Sequence, residues 1–198
     1  MTEGKIYKII IDPLLTALRA TTSNLVPDNL NIIDIACGTG ALAIELSKKS
    51  HHVLGVDISK SMIQTANKMK RKLNITNAEF MVLDATQFKE FKTKEFDLAT
   101  ISMAIHQFDT NTGIKILSEL SRIAKEILIV DYACPIPNVI YNRFIYFIER
   151  LAGKEHFRNF KSYQHFGGIY PYLNQLKIKP LREIKEAKSI FYLVYCSL

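Results

Sequence analysis

The chain has 198 residues and a mass of 22.6 kDa, the size of one domain, and its 48% apolar and 23% charged residues exclude a disordered or collagen-like protein. Cys37, Cys134 and Cys196 stand far apart with no CxxC pair or Cys/His cluster, so neither a disulfide framework nor a zinc module is expected, and no metal is assigned. The net charge of +7 is uneven, with ten basic against four acidic residues after residue 131, an excess that suits an acidic partner or a solvated surface.

No apolar run reaches the roughly eighteen residues of a membrane span. The N-terminal run, broken by Asp12 and Pro13, lacks a signal-peptide pattern. The expectation is a reduced, soluble, cytoplasmic protein.

Residues 6–22 read as a helix in which Pro13 marks an early break or a second start. A mostly apolar strand, Asn31–Ala36, follows; the sequence Cys-Gly-Thr-Gly then leads into a helix over 41–50. A second strand, His52–Val56, ends at Asp57. Ser59 is placed to cap a helix over 59–73, on which Met62, Ile63, Ala66 and Met69 recur at helical spacing. The closing run Lys68–Lys72 suits the negative end of the helix dipole. A third strand, Glu79–Leu83, ends at Asp84, and a fourth covers Phe96–Met103. A helix over 112–125 leads to a fifth strand, Ile127–Val130, ending at Asp131. These strands are apolar on both faces, as a parallel sheet covered by helices requires, and the alternation predicts a doubly wound α/β fold.

The last third reads differently. Asn138–Ala152 is an aromatic-rich helix stopped by Gly153, and Phe157, Phe160, Tyr163 and Phe166 recur at spacing three. After a short helix over 169–176, Leu181–Glu186 and Ser189–Ser197 read as strands whose tight link forces an antiparallel pair.

The strongest chemical signal is Asp34-Ile35-Ala36-Cys37-Gly38-Thr39-Gly40, an apolar strand running through two glycines into a helix. Such glycines permit a sharp turn and close approach of a ligand to the backbone. From Gly38 the run GTGALA also matches a dinucleotide fingerprint, and Asp57 is placed to accept from ribose hydroxyls. Asp84 separates the two ligands. Asp34, Asp57 and Asp84 at adjacent strand ends would repel a pyrophosphate, but suit a ribose, an adenine amine and an ammonium.

Through DIACGTG, LGVDIS, VLDA and FDLATISMAIHQF, the chain resembles class I S-adenosylmethionine-dependent methyltransferases over about residues 30–131. The resemblance implies a Rossmann-like seven-stranded sheet, mostly parallel with an antiparallel last strand and helices on both faces. It implies a single domain over 1–198: an N-terminal helical lid over 1–26 carrying Tyr7, a cofactor-binding core over 30–131, a helical cap over 136–176 and a C-terminal strand pair over 180–198. It also implies that Asp34 and the loop Ala36, Cys37, Gly38, Thr39 and Gly40 face the methionine part of S-adenosylmethionine. Asp57 would hold the ribose, Ile58 pack on the adenine, Asp84 and Ala85 meet its edge, and Ser102 and Met103 line the other side. Ala36 stands where the family often has glycine, a change that strand-end geometry is expected to tolerate. Cys37 reads as a packing residue rather than a nucleophile.

The expected chemistry is in-line transfer of a methyl group to a small-molecule acceptor, leaving S-adenosylhomocysteine, with positioning supplying most of the rate. His106 is the candidate base for a hydroxyl acceptor and Tyr132 a second candidate, each with packing as its alternative role. The family's Asn/Asp-Pro-Pro-Tyr/Phe motif for nucleobase amines is absent after the fourth strand, which argues against nucleic acid as substrate. Tyr141, Tyr146, His156, Phe157, Arg158, Phe160, Tyr163 and His165 are candidates for an acceptor pocket in the cap, with Lys161 beside Arg158 for an anionic acceptor. Three alternatives stay open: an RNA methyltransferase, an NAD-dependent oxidoreductase, and a non-catalytic protein that keeps the cofactor fold. The acceptor atom and oligomeric state are not legible.

Overall fold

The apolar runs assemble into one seven-stranded sheet in the computed structural model, which describes residues 12–137, 139–186 and 190–198. Its strands are β1 (Asn31–Ile35), β2 (His52–Asp57), β3 (Ala78–Val82), β4 (Phe96–Ser102), β5 (Ala124–Tyr132), β6 (Lys179–Glu186) and β7 (Phe191–Ser197), in the spatial order β3-β2-β1-β4-β5-β7-β6. Strands β1 to β5 pair in parallel, while β7 runs antiparallel to both β5 and β6. The chain winds outward from β1 to β3, then returns to the other side of β1 at β4. That reversal opens a crevice at the carboxyl end of β1, where doubly wound sheets bind ligands.

The described helices are α1 (Asp12–Leu25), α2 (Ala41–Ser47), α3 (Lys60–Lys72), α4 (Thr110–Ile123), α5 (Val139–Leu151), α6 (Lys154–Phe166) and α7 (Tyr170–Gln175). Pro13 lies in the first turn of α1, where its missing N–H removes no helical bond, so it starts this helix rather than breaking it. Residues 1–11, including Tyr7 and the first part of the expected lid, lie outside the described residues. Ser59 caps α3 as expected, its hydroxyl accepting the Met62 amide at 3.4 Å. Asp109 caps α4 by accepting the Thr112 amide at 3.1 Å, which starts that helix two residues before the expected point.

Three expectations need correction. Strand β3 is not covered on both faces: Ala78 is buried and Phe80 half-buried, whereas Glu79, Met81 and Val82 are exposed, because β3 is an edge strand. For the same reason α3 buries only Ile63 and Ala66 of its apolar face and leaves Met62 and Met69 in solvent. Strand β5 runs on through Asp131 and Tyr132, which pair with Tyr192 and Phe191 of β7, so both residues belong to the sheet rather than to the loop after it. The other edge, β6, carries Pro180, Arg182 and Lys185, residue types that deter further strand pairing.

Helices α5 and α6 pack on each other and α6 covers the 3-10 turn Ile105–Gln107 that follows β4. Phe160 and Tyr163 are fully buried there, the Tyr163 hydroxyl donating to the Tyr132 carbonyl at 3.0 Å. These two expected pocket residues are therefore the core of the cap. Burying a side chain the size of Phe160 contributes about 1.5–3 kcal/mol to cap packing.

Candidate active site

Strand β1 buries Ile32, Ile33 and Ile35, then turns through Ala36 (φ 53°), Gly38 (φ 55°) and Gly40 (φ 75°) into α2. Ala36 adopts a left-handed conformation that costs a non-glycine residue roughly 1–2 kcal/mol. The alanine is thus carried at a cost, where the family's usual glycine would be free of it. Two backbone bonds hold the turn, Cys37 N–H to the Val56 carbonyl at 3.0 Å and Gly40 N–H to the Cys37 carbonyl at 2.9 Å. A Cβ on Gly40 would lie 2.6 Å from the Phe80 ring, so α2 packs closely over β2 and β3. A Cβ on Gly38 would meet nothing within 4 Å, so the loop presents bare backbone to open space at the crevice.

Asp57, at the end of β2, clamps this loop. Its Oδ2 accepts the Gly38 amide at 2.8 Å and its Oδ1 accepts the Ser59 amide at 2.8 Å. A carboxylate has about four lone-pair sites, so each oxygen can accept once more from the crevice side. Beside it Ile58 is 70% exposed, an apolar surface without a covering partner among the described residues. Asp84 is held by its own turn, Oδ1 accepting the Thr86 amide and hydroxyl at 2.8 Å each. The Thr86 amide is the main cause holding its carboxyl below the ordinary value. Ala85 and Thr86 after it are half-buried. Across the reversal point, Ser102 closes β4, and Met103 (φ 54°) donates its amide to the Val130 carbonyl at 2.7 Å.

Asp34 behaves differently from the expectation. It is 1% exposed, with Oδ1 accepting from the Thr100 hydroxyl of β4 at 2.7 Å and Oδ2 lacking a partner among the described residues. Burial pushes its pKa up to about 7; the Thr100 bond and the nearby Ala43 amide offset this only in part, and the charge of Asp57 adds to the rise. Burial also pushes the Cys37 thiol far up, which disfavours its thiolate form.

On the far side of β4, the 3-10 turn places His106 against β5 and the cap. Its Nδ1 lies 2.6 Å from Asp131 Oδ1, and its amide donates to Asp131 Oδ2 at 3.2 Å. Its Nε2 lies 3.7 Å from Glu149 Oε2 of α5. Glu149 Oε1 accepts the Tyr132 hydroxyl at 2.7 Å, and Oε2 is hydrogen-bonded to Nε2 of His156 on α6. Burial alone would lower the His106 pKa, but Asp131 and Glu149 outweigh it and the net shift is upward. Burial alone would raise that of Glu149, but His156, His106 and Tyr132 hold it below its ordinary value.

His106 and Tyr132 are 2% and 7% exposed, so neither presents an edge to an acceptor in this structure. His156 does: it is half-buried and lines a cavity of about 540 Å³ together with Gln107, Gly153 and Asn159. Sequence reasoning did not single out Glu149, and no local pattern marks it. Its partners come from the turn after β4, from β5 and from the next helix. Of the other cap candidates, Arg158 is exposed and pairs with Glu155 at 3.3 Å, and His165 is exposed.

The strand order, with a glycine loop clamped by Asp57 at the reversal point, is Rossmann-like. The chain belongs to the methyltransferase-domain family, whose model matches residues 27–185, and its class is that of the class I S-adenosylmethionine-dependent methyltransferases. It is 29% identical over 100 residues to a demethylmenaquinone methyltransferase of Leptospira interrogans, a match covering 49% of this chain and 39% of that one. The chain thus spans well under two thirds of that relative. Its fold is similar to that of a Pyrococcus horikoshii protein (TM-score 0.73, 19% identity, 98% of each chain). It is also similar to that of magnesium protoporphyrin IX methyltransferase from Synechocystis with bound S-adenosylhomocysteine (TM-score 0.66, 20% identity, 93% of this chain and 80% of that one). No helix among the described residues is long and apolar enough to cross a membrane.

Proposed function

We propose that this chain transfers the methyl group of S-adenosylmethionine to a small-molecule acceptor that enters from the cap side. The observation that carries the reading is the Asp57 clamp, which fixes the glycine loop and leaves acceptor capacity beside the bare Gly38 and the uncovered Ile58. The bound cofactor supplies an electrophilic methyl group on a positively charged sulfur.

Asp57 would accept from the ribose hydroxyls and Ile58 would pack on the adenine. Asp84 and Ala85 would meet the adenine edge, with Oδ2 of Asp84 the less engaged oxygen. Ser102 and Met103 would form the opposite wall. The loop from Ala36 to Gly40 would hold the methionine part. Asp34, buried and bonded to Thr100, ties β1 to β4. No loop residue has to move a proton for the methyl group to transfer. Holding donor and acceptor in line is worth about 7–11 kcal/mol in favourable systems.

His156 is the member of the polar array that opens on the cavity, where an acceptor would meet it. His106, Tyr132 and Asp131 are the residues that position Glu149 and His156 from behind. The relatives' names refer to a demethylmenaquinone and a magnesium porphyrin, organic acceptors rather than nucleic acids, which supports a small-molecule acceptor here.

Incubation of the full chain with methyl-tritiated S-adenosylmethionine and a metabolite extract tests the reading. Label is expected in a small-molecule fraction and absent with Asp57→Ala. Label in RNA alone, or in no fraction, would remove the proposal.

A further inference from the structure

The polar array under the cap has more order than proton handling requires. We propose that His106, Glu149 and His156 form a binding site for one divalent transition-metal ion of the zinc type. Their candidate ligand atoms, two imidazole nitrogens and one carboxylate oxygen, all lie within 4.8 Å of one another. Tetrahedral ligands on metal bonds of about 2.0–2.1 Å stand roughly 3.3 Å apart. His106 Nε2 and Glu149 Oε2, at 3.7 Å, are close to that spacing. The directly bonded Glu149–His156 pair must open, and half-buried His156 is the side chain with room to rotate.

Three further observations separate this cluster from a chance meeting of polar groups. Asp131 occupies Nδ1 of His106 at 2.6 Å, which fixes the ring and leaves Nε2 toward Glu149, the carboxylate–histidine arrangement that orients metal ligands. The Tyr132 hydroxyl holds the other oxygen of Glu149 at 2.7 Å, aiming Oε2 at both imidazoles. His106 and Glu149 are rigidly buried, whereas His156 opens on the 540 Å³ cavity, which supplies an entry path.

Two imidazoles favour zinc, cobalt, nickel or iron(II) over magnesium or calcium, which prefer oxygen ligands. Three protein ligands leave one position open toward the cavity, the donor count of a reactive rather than a structural zinc site. An acceptor oxygen or sulfur is the chemical class that would fill it. That last role rests on the methyl-transfer reading; the metal binding does not.

The test is titration of the chelator-stripped, tag-free full chain with Co2+ alone, read by visible d–d absorption and by equilibrium dialysis. One equivalent is expected to bind with the intense bands of four- or five-coordinate cobalt, to be displaced by Zn2+ and not by Mg2+. Asp131→Asn is expected to weaken binding about 10–100-fold through loss of ring orientation. His156→Gln, a change at a half-buried side chain, is expected to weaken it about a hundredfold or more with an unchanged far-ultraviolet spectrum. Absence of cobalt bands in the wild-type protein would overturn the proposal. So would bands that persist unchanged in His156→Gln, or displacement by Mg2+ as effective as by Zn2+. Loss of metal binding with methyl transfer intact would overturn only the acceptor role.

Discussion

Asp57→Ala is expected to weaken S-adenosylhomocysteine binding by about a hundredfold or more in calorimetry of the full chain. The size follows from two losses. A hydrogen bond to a charged acceptor is worth about 1.5–3 kcal/mol, and the ribose would lose its carboxylate altogether. The Gly38 and Ser59 amides, each 2.8 Å from Asp57, would lose the acceptor that holds the loop in place. A combined loss near 3 kcal/mol corresponds to roughly two orders of magnitude in affinity. Asp57→Asn keeps one acceptor oxygen and is expected to fall between the two. The global fold should survive, because Asp57 is only half-buried and water can replace the lost partner. An affinity within about threefold of wild type in Asp57→Ala would mean that the crevice holds its ligand by other groups.

The second large effect is on stability. Asp34 titrates near 7 in the fold against 3.8 ordinarily, because burial disfavours its charged form. Between those values the native state keeps a proton that the unfolded chain has lost. Stability from this group is therefore present at low pH and is lost as pH rises from about 4 through 7. One pKa unit corresponds to about 1.4 kcal/mol, so the loss is on the order of 4 kcal/mol above pH 7, or about ten degrees in Tm for a domain of this size. Asp34→Asn removes the titration. An asparagine amide facing the unpartnered Oδ2 position carries its own desolvation cost, but that cost does not vary with pH. The gap in Tm between Asp34→Asn and wild type, measured without cofactor, is expected to widen in favour of the variant from pH 5 to pH 8. Parallel curves would show that Asp34 is ionised throughout and partnered.

The structure explains which parts of this account were legible in the sequence. The β1 turn was, because an apolar strand entering Gly38 and Gly40 has few other conformations, and here both take positive φ. The Ser59 cap and the reversed β7 followed from local chemistry and a short connection. The burial of Asp34 was not legible, since it depends on Thr100 of a strand that the chain reaches only after two intervening strands. The exposed face of β3 was hidden because strand composition does not tell an edge from a centre. The His106–Glu149–His156 cluster was hidden for a related reason: spacing reveals metal or proton-relay sets only when the ligands share one element, and here three elements converge.

The most direct measurement is calorimetric titration of the full chain with S-adenosylhomocysteine and, separately, with NAD. Stoichiometric binding of the first and none of the second is expected, because Asp57, Ile58 and Asp84 suit an adenosyl ligand while two carboxylates oppose a diphosphate. Binding of NAD, or of neither compound, would contradict the assignment of the crevice.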